Sequence, residues 1–495
     1  MRLRPHLRRR SALIVVALAG ALAGCGAGTD RVGTVALAEC RLPRLATAAL
    51  CGSVEVPENR DQPDGRKISI AFAVLPANTL TPKPDPLVLL PGGPGQSASS
   101  LVPFASRLVE VRRTRDIVLV DPRGTGRSSP LDCAALKPQD TPDDVLETDP
   151  LPRAKECLQE LNDRGVDAAQ YTTAAWVADL EAVRAALGYP KWNLWGGSYG
   201  TRVALEYARR HPDRVRSMVL DGVAPPSLKV SLGVWLTREQ ALDDLFRACA
   251  GNAACASVQP DLALTLERIR VDLGPDGRDV KVANPRTGEV ETHRLTYEIV
   301  AASLHPLVYL PELAAVIPAL LDRAAKGDYA PLYAAALLIG GDLAEQMSGA
   351  LHYSVTCAED VPRIESAERR RLAATRVATL APKILSVCDV WPRGRQPADA
   401  TTPVVTEIPT LLISGGLDPV TPPAYAEEVA KTLSNHRHVV GRGYGHIVSP
   451  HACGPRLVAA FVDRAGFDTL PASCLEHFET SKRPPLWPDR LAPAP

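Results

Sequence analysis

A serine sits between glycines in LWGGSYGT, residues 194–201, where Gly196, Ser198 and Gly200 fit G-x-S-x-G. The stretch closes an apolar run and opens a helical pattern, the setting in which a sharp turn lifts a serine hydroxyl clear of a sheet edge. No Lys precedes the serine, which argues against a phosphate loop. A hydroxyl is a poor nucleophile until a base takes its proton, so the pattern asks for a histidine and an acid farther along. Asp418 in SGGLDPVTPP and His446 in GYGHIVSP each follow an apolar run, in the order Ser, Asp, His. His446 is the expected base and Asp418 the group that orients it and stabilises the imidazolium. Alone, each has a plainer reading, a turn aspartate and a loop histidine; the joint order favours chemistry. Asp221, which ends RVRSMVLD, is a competing acid, and His451 a more remote base. Acyl transfer also needs fixed donors for an oxyanion. PGGPG, residues 91–95, follows LVLL, so the N–H groups of Gly93 and of Tyr199 are the expected donors.

Elements that would position these residues alternate along the chain. KISIAFAVLP (67–76), DPLVLLPGG (85–93), RDIVLVDPRG (115–124), KWNLWGGS (191–198) and RVRSMVLDG (214–222) read as strands. Their near-continuous apolar character predicts parallel strands covered on both faces. TTAAWVADLEAVRAALG (172–188) has helical spacing, opened by Thr and closed by Gly, and a helix is expected from Tyr199 to about Arg210. Alternation of this kind predicts a doubly wound α/β sheet. From about residue 226 to 403 the chain is rich in Ala, Leu and Arg with helical periodicity, which reads as a mostly helical insertion. Two more strand signals, 408–419 and 436–446, and a helix at about 454–466 complete the sheet.

The first 24 residues pair MRLRPHLRRR with a short apolar run too brief to span a bilayer, then Cys25. This is the pattern of an export signal. Leu22-Ala23-Gly24-Cys25 resembles a bacterial lipobox with Cys25 as the lipidated residue, the alternative being an ordinary cleavage site; Gly26 points toward an outer membrane where the cell has one. Setting aside the signal's five arginines leaves 51 basic against 56 acidic residues, a mildly acidic chain with no basic stripe for nucleic acid. Ten further cysteines form sequence-near couples: 40 and 51, 133 and 157, 249 and 255, 357 and 388, 453 and 474. In an oxidising compartment, nearest-neighbour pairing is the simplest of many connectivities. None of these couples has C-x-x-C spacing, so a zinc site is not expected.

PGGPG, DPRGTGRS (121–128), GGSYGT, GGLDPVTP and GYGH together resemble the tripeptidyl aminopeptidase branch of the α/β-hydrolase peptidases, relatives of proline iminopeptidases. The resemblance implies an α/β-hydrolase fold with a mostly parallel doubly wound sheet and an inserted helical cap. The divisions are a signal at 1–24, a flexible tether at 25–36, core at 37–225, cap at 226–403 and core at 404–495. Proline iminopeptidases carry His where this chain has Pro91, which favours the tripeptidyl branch. Asp121, Arg123 and Gly124 match a loop that packs beside the active site. In the cap, SVTCAEDVP fits a Cys-x-acid pattern that points to Glu359, with Asp360 beside it, as the carboxylate that meets a substrate's free amine; a solvated acidic turn is the alternative. Trp391 lines the pocket or packs the cap, packing being the simpler role.

The expectation is an exported serine aminopeptidase of the cell envelope. It would cleave short peptides, tripeptidyl or prolyl in type, from free N-termini through an acyl-enzyme, on a membrane anchor and without metal or organic cofactor. An esterase for small acyl esters and an inactive binding lipoprotein are the alternatives. Oligomeric state and the number of residues released per cut are open.

Overall fold

The computed structural model describes residues 31–137, 149–378 and 380–486. Its main sheet is built from β1 (Ala38–Cys40), β2 (Ala49–Pro57), β3 (Lys67–Leu75), β4 (Leu87–Leu90), β5 (Ile117–Val120), β6 (Trp192–Gly197), β7 (Val215–Asp221), β8 (Thr410–Gly415) and β9 (His436–Gly441). In space they run β9-β8-β7-β6-β4-β5-β3-β2-β1. The six strands from β4 to β9 are parallel, and all residues of β4, β5, β6 and β8 are buried. Burial on both faces is why these runs carry little polar alternation. Each fully buried Leu or Val contributes about 1.5–3 kcal/mol.

KISIAFAVLP forms β3 as expected, but β3 runs antiparallel to both neighbours, as does the β1–β2 pair beyond it. An apolar run reports burial and not direction, so the parallel expectation fails here. β4 lies between β5 and β6, which come later in the chain. The winding therefore reverses at β4 and leaves a crevice outside the carboxyl ends of β4 and β6, where such sheets hold ligands. PGGPG leaves β4 and Ser198 leaves β6 at that crevice.

Helix Thr173–Leu187 is bounded as its sequence predicts: the Thr172 hydroxyl accepts the Ala175 N–H at 3.3 Å, and Gly188 takes a left-handed conformation after it. This helix and Tyr199–Arg210 cover one face of the sheet, and helices Val102–Arg107 and Gly454–Arg464 the other.

Two parts differ from expectation. Residues 31–36, expected as tether, form a small hairpin whose Thr34 N–H donates to Ala186 O at 2.9 Å. The insertion carries a β-hairpin, Arg278–Ala283 with Val290–Leu295. It also splits in two energetically. Its first part has its own core around Leu266, Leu304 and Leu321, whereas Leu351, Tyr353, Val355 and Trp391 join the core of the main domain. Five disulfides join the nearest-neighbour couples: Cys40–Cys51, Cys133–Cys157, Cys249–Cys255, Cys357–Cys388 and Cys453–Cys474. Cys25 and the N-terminal segment lie outside the described residues. Among those residues no helix is long and apolar enough to cross a membrane.

Candidate active site

Ser198 stands at the turn between β6 and helix Tyr199–Arg210, with φ 55° and ψ −124°. A non-glycine residue in that region is strained, and its surroundings must hold it there. Two contacts do so. The Ser198 N–H donates to Asp221 O at 2.9 Å, and the glycines beside it permit an approach no side chain would tolerate. A Cβ on Gly200 would run into the Leu90 carbonyl, and one on Gly196 into the carbonyl of Gly200. The spacing of G-x-S-x-G is thus a packing requirement between helix, strand and neighbouring strand.

His446 follows β9 on a loop drawn back over the sheet edge. Its Nδ1 lies 2.8 Å from Asp418 Oδ2. Asp418 is buried and also accepts the N–H groups of Val420 and Thr421 at 2.8 and 2.9 Å and the Thr421 hydroxyl at 2.9 Å. Burial acts to raise its carboxyl, but His446 and these donors prevail and hold it below the ordinary range. With Nδ1 engaged by a carboxylate, His446 Nε2 has no partner among the described residues and is free to accept a proton. A Cβ on Gly222 would lie 3.1 Å from His446 Cε1, so the imidazole sits over the end of β7, beside the strand that carries Ser198.

Asp221, the competing acid, has a different task. Its carboxylate accepts Val448 N–H at 3.0 Å and Ser449 N–H at 2.6 Å. It is fully buried, and burial raises its carboxyl despite those donors. It clamps the backbone just past His446, where Ile447 is held at φ 66°. His451 lies on the exposed surface.

PGGPG places Gly92 against the nucleophile: a Cβ there would be 3.2 Å from Ser198 Cβ. The Gly92 N–H is taken by the Gln96 side chain at 3.1 Å. The N–H groups of Gly93 and Tyr199 donate to no described residue, a condition that oxyanion donors must meet. Beside them a small cavity is lined by Gly92, Gly95, Thr172, Trp176, Tyr199 and Val355.

Glu359 is not a solvated turn residue. Its side chain is 9% exposed and accepts the Thr173 N–H at 2.7 Å and the Thr173 hydroxyl at 2.8 Å, with Arg202 at 3.7 Å. Thr173 Oγ1 is also 2.6 Å from the Tyr199 hydroxyl, so the carboxyl connects through two side chains to the residue after the nucleophile. Burial outweighs Arg202 and raises Glu359 to about 7. Asp360, expected beside it in amine binding, is closed to substrate. It is 0% exposed, ion-paired with Arg202 and Arg363 at 3.1 Å each, and accepts the Val230 N–H. Trp391 packs against Tyr353 and donates to Ser354. Arg123 makes a buried two-pronged pair with Asp179, at 2.6 and 2.7 Å, and Asp121 accepts the Ala98 and Arg127 N–H groups. Both serve the loop around the cavity. No group of three or more metal-ligating side chains is found among the described residues.

Thr421 and Thr173 did not emerge from the sequence. Asp-Pro-Val-Thr, an aspartate followed at the third position by a residue that caps it, is a visible turn signal for the first. Thr173 meets Glu359 only through the fold.

Residues 85–299 match the α/β hydrolase fold model and residues 377–474 the TAP-like protein model. The first span holds Gly93, Ser198 and Tyr199, the second Asp418 and His446. The chain is 28% identical over 428 residues to the serine protease Hip1 of Mycobacterium tuberculosis, covering 79% of this chain and 80% of that one. It is 32% identical over 197 residues to the tripeptidyl aminopeptidase of Streptomyces lividans, 36% of each chain. Proline iminopeptidase of Neisseria meningitidis is 32% identical over 161 residues, 32% of this chain and 39% of its own. The chain has the α/β-hydrolase fold and is similar in sequence to proteins named serine protease, tripeptidyl aminopeptidase and proline iminopeptidase.

Proposed function

We propose that the chain is a serine aminopeptidase that releases short peptides from free N-termini. Ser198 attacks the scissile carbonyl while His446 takes its proton; Asp418 steadies the imidazolium, and the Gly93 and Tyr199 N–H groups receive the oxyanion. The new amine leaves with the proton from His446, and water hydrolyses the acyl-enzyme. The observation that carries the aminopeptidase reading is the buried Glu359, joined through Thr173 to Tyr199 beside the nucleophile. A carboxylate held out of water is the partner a desolvated ammonium requires. The relatives named as aminopeptidases support the same substrate class.

Purified protein and Ser198→Ala are compared on Ala-Ala-Pro-anilide with a free amine, the same peptide N-blocked, and a short acyl ester. Turnover of the free peptide alone, lost in Ser198→Ala, is the expected result. Turnover of the ester alone would replace the peptidase reading with an esterase.

Export and a lipid anchor on Cys25 belong to the same proposal, supported by the signal pattern and by five disulfides. Cys25→Ser is expected to move the protein from the membrane fraction to the soluble exported fraction; unchanged membrane retention would overturn the anchor.

A further inference from the structure

The cap brings a second charged group near the candidate base, on a different helix from the one that carries Glu359. Helix Val230–Ala250 is seated on the loop of the candidate acid, where the Thr237 hydroxyl donates to Pro419 O at 2.8 Å. The next residue is Arg238. Its guanidinium lies over the Tyr309 ring, 4.9 Å from the centroid, and its Nη2 donates to the Tyr309 hydroxyl at 2.9 Å. The Tyr309 ring in turn meets the His446 ring edge-on, with centroids 5.7 Å apart. The backbone of Tyr309 is fixed there too, since a Cβ on Gly445 would meet the Tyr309 carbonyl and Pro311.

Arg238 lacks what its neighbours have. Glu239 and Asp243, on the same helix, are both paired with Arg376, and Glu239 also with His305. Arg238 forms no ion pair among the described residues, and its buried Nε has no acceptor. A partly buried cation without a counterion is costly, and an arriving carboxylate would supply one.

The side on which this cation lies gives it meaning. In acyl transfer the imidazole delivers a proton to the leaving amine, so the leaving group lies on the His446 side. On the aminopeptidase reading, the acyl part carries its free amine toward Glu359, away from the leaving group. From these positions we infer that Arg238 binds the C-terminal carboxylate of the leaving fragment, and that the favoured substrates are short peptides with both termini free. The contacts through Tyr309, 4.9 and 5.7 Å long, keep the guanidinium within about three extended residues of the imidazole, at roughly 3.5 Å per residue. The inference rests on the aminopeptidase reading and adds the second end of the substrate.

The test compares Ala-Ala-Pro-(Ala)n peptides, with n of one, two and three, as free acids and as C-terminal amides. Each acid-to-amide ratio of kcat/KM is internal to one enzyme preparation, so loss of folded protein cancels. At the length that fits, the acid is expected to be favoured about tenfold or more. In Arg238→Gln that ratio should fall toward one, and Arg238→Lys should restore part of it. Ratios near one at all three lengths in the native enzyme, with the free amine still required, would overturn the Arg238 assignment and leave the aminopeptidase reading intact. A preference that survives Arg238→Gln would overturn it equally. If peptides are refused in both forms while a small ester is turned over, both readings fall together.

Discussion

The substitution Asp221→Asn removes a charge and keeps the shape, and so separates the two buried acids near His446. Asp221 touches the backbone past the histidine, through Val448 and Ser449 N–H groups at 3.0 and 2.6 Å, while Asp418 touches the ring itself at 2.8 Å. An asparagine can accept only with one of its two ends, so Asp221→Asn loses about one hydrogen bond to a charged group, or roughly 2 kcal/mol of stability. It also turns an NH2 toward a backbone donor. The His446 loop is expected to shift by a fraction of an ångström, which in a preorganised site lowers kcat on the order of 10- to 100-fold. Asp418→Asn acts differently: its NH2 would face Nδ1 and select the wrong tautomer, a change that costs on the order of 10⁴ in kcat in the serine protease triad. The assay is kcat on a free-amine tripeptide anilide, normalised by active-site titration, with urea unfolding alongside. A loss in folded Asp221→Asn equal to or larger than that in Asp418→Asn would refute the reasoning and make Asp221 the acid of the site.

Glu359 gives a pH signature. Raised from an ordinary 4.5 to about 7, its carboxyl ionises only as pH rises through that value, so KM for free-amine peptides is expected to fall across it. In Glu359→Gln the KM should be higher and lack that trend; an unchanged profile would remove Glu359 from amine binding. Because the native chain keeps this proton to a higher pH than the unfolded chain, Glu359 makes stability fall as pH rises from about 4.5 to 7, and Glu359→Gln should flatten that slope in urea unfolding. Alkylation of the denatured but unreduced protein should leave the ten paired cysteines unlabelled, and reduction should expose all ten. Gly200→Ala is expected to fail to accumulate as folded protein or to lose all turnover, since its methyl group would strike the Leu90 carbonyl; a stable and active variant would contradict the elbow packing.

What the sequence determined by itself is local. G-x-S-x-G before a helical pattern, the apolar runs that become β4 to β9, the Thr172 and Gly188 ends of one helix, and the near-neighbour cysteine couples all express constraints between residues close in the chain. Such constraints leave a readable spacing. The order Ser198, Asp418, His446 extended this to the candidate triad, because each residue sits where an apolar run stops. Direction and partnership were decided only by the tertiary structure. A run such as KISIAFAVLP is equally apolar in a parallel or an antiparallel pair, and an acid such as Asp360 looks the same whether it faces a substrate or Arg202. Asp221 and Asp418 both end or follow buried strands, and only the path of the loop after β9 gives one the imidazole and the other the backbone behind it. Tyr309 meets His446, and Arg238 meets Tyr309, because distant segments of the cap fold together, and a contact made by long-range packing has no periodicity to announce it.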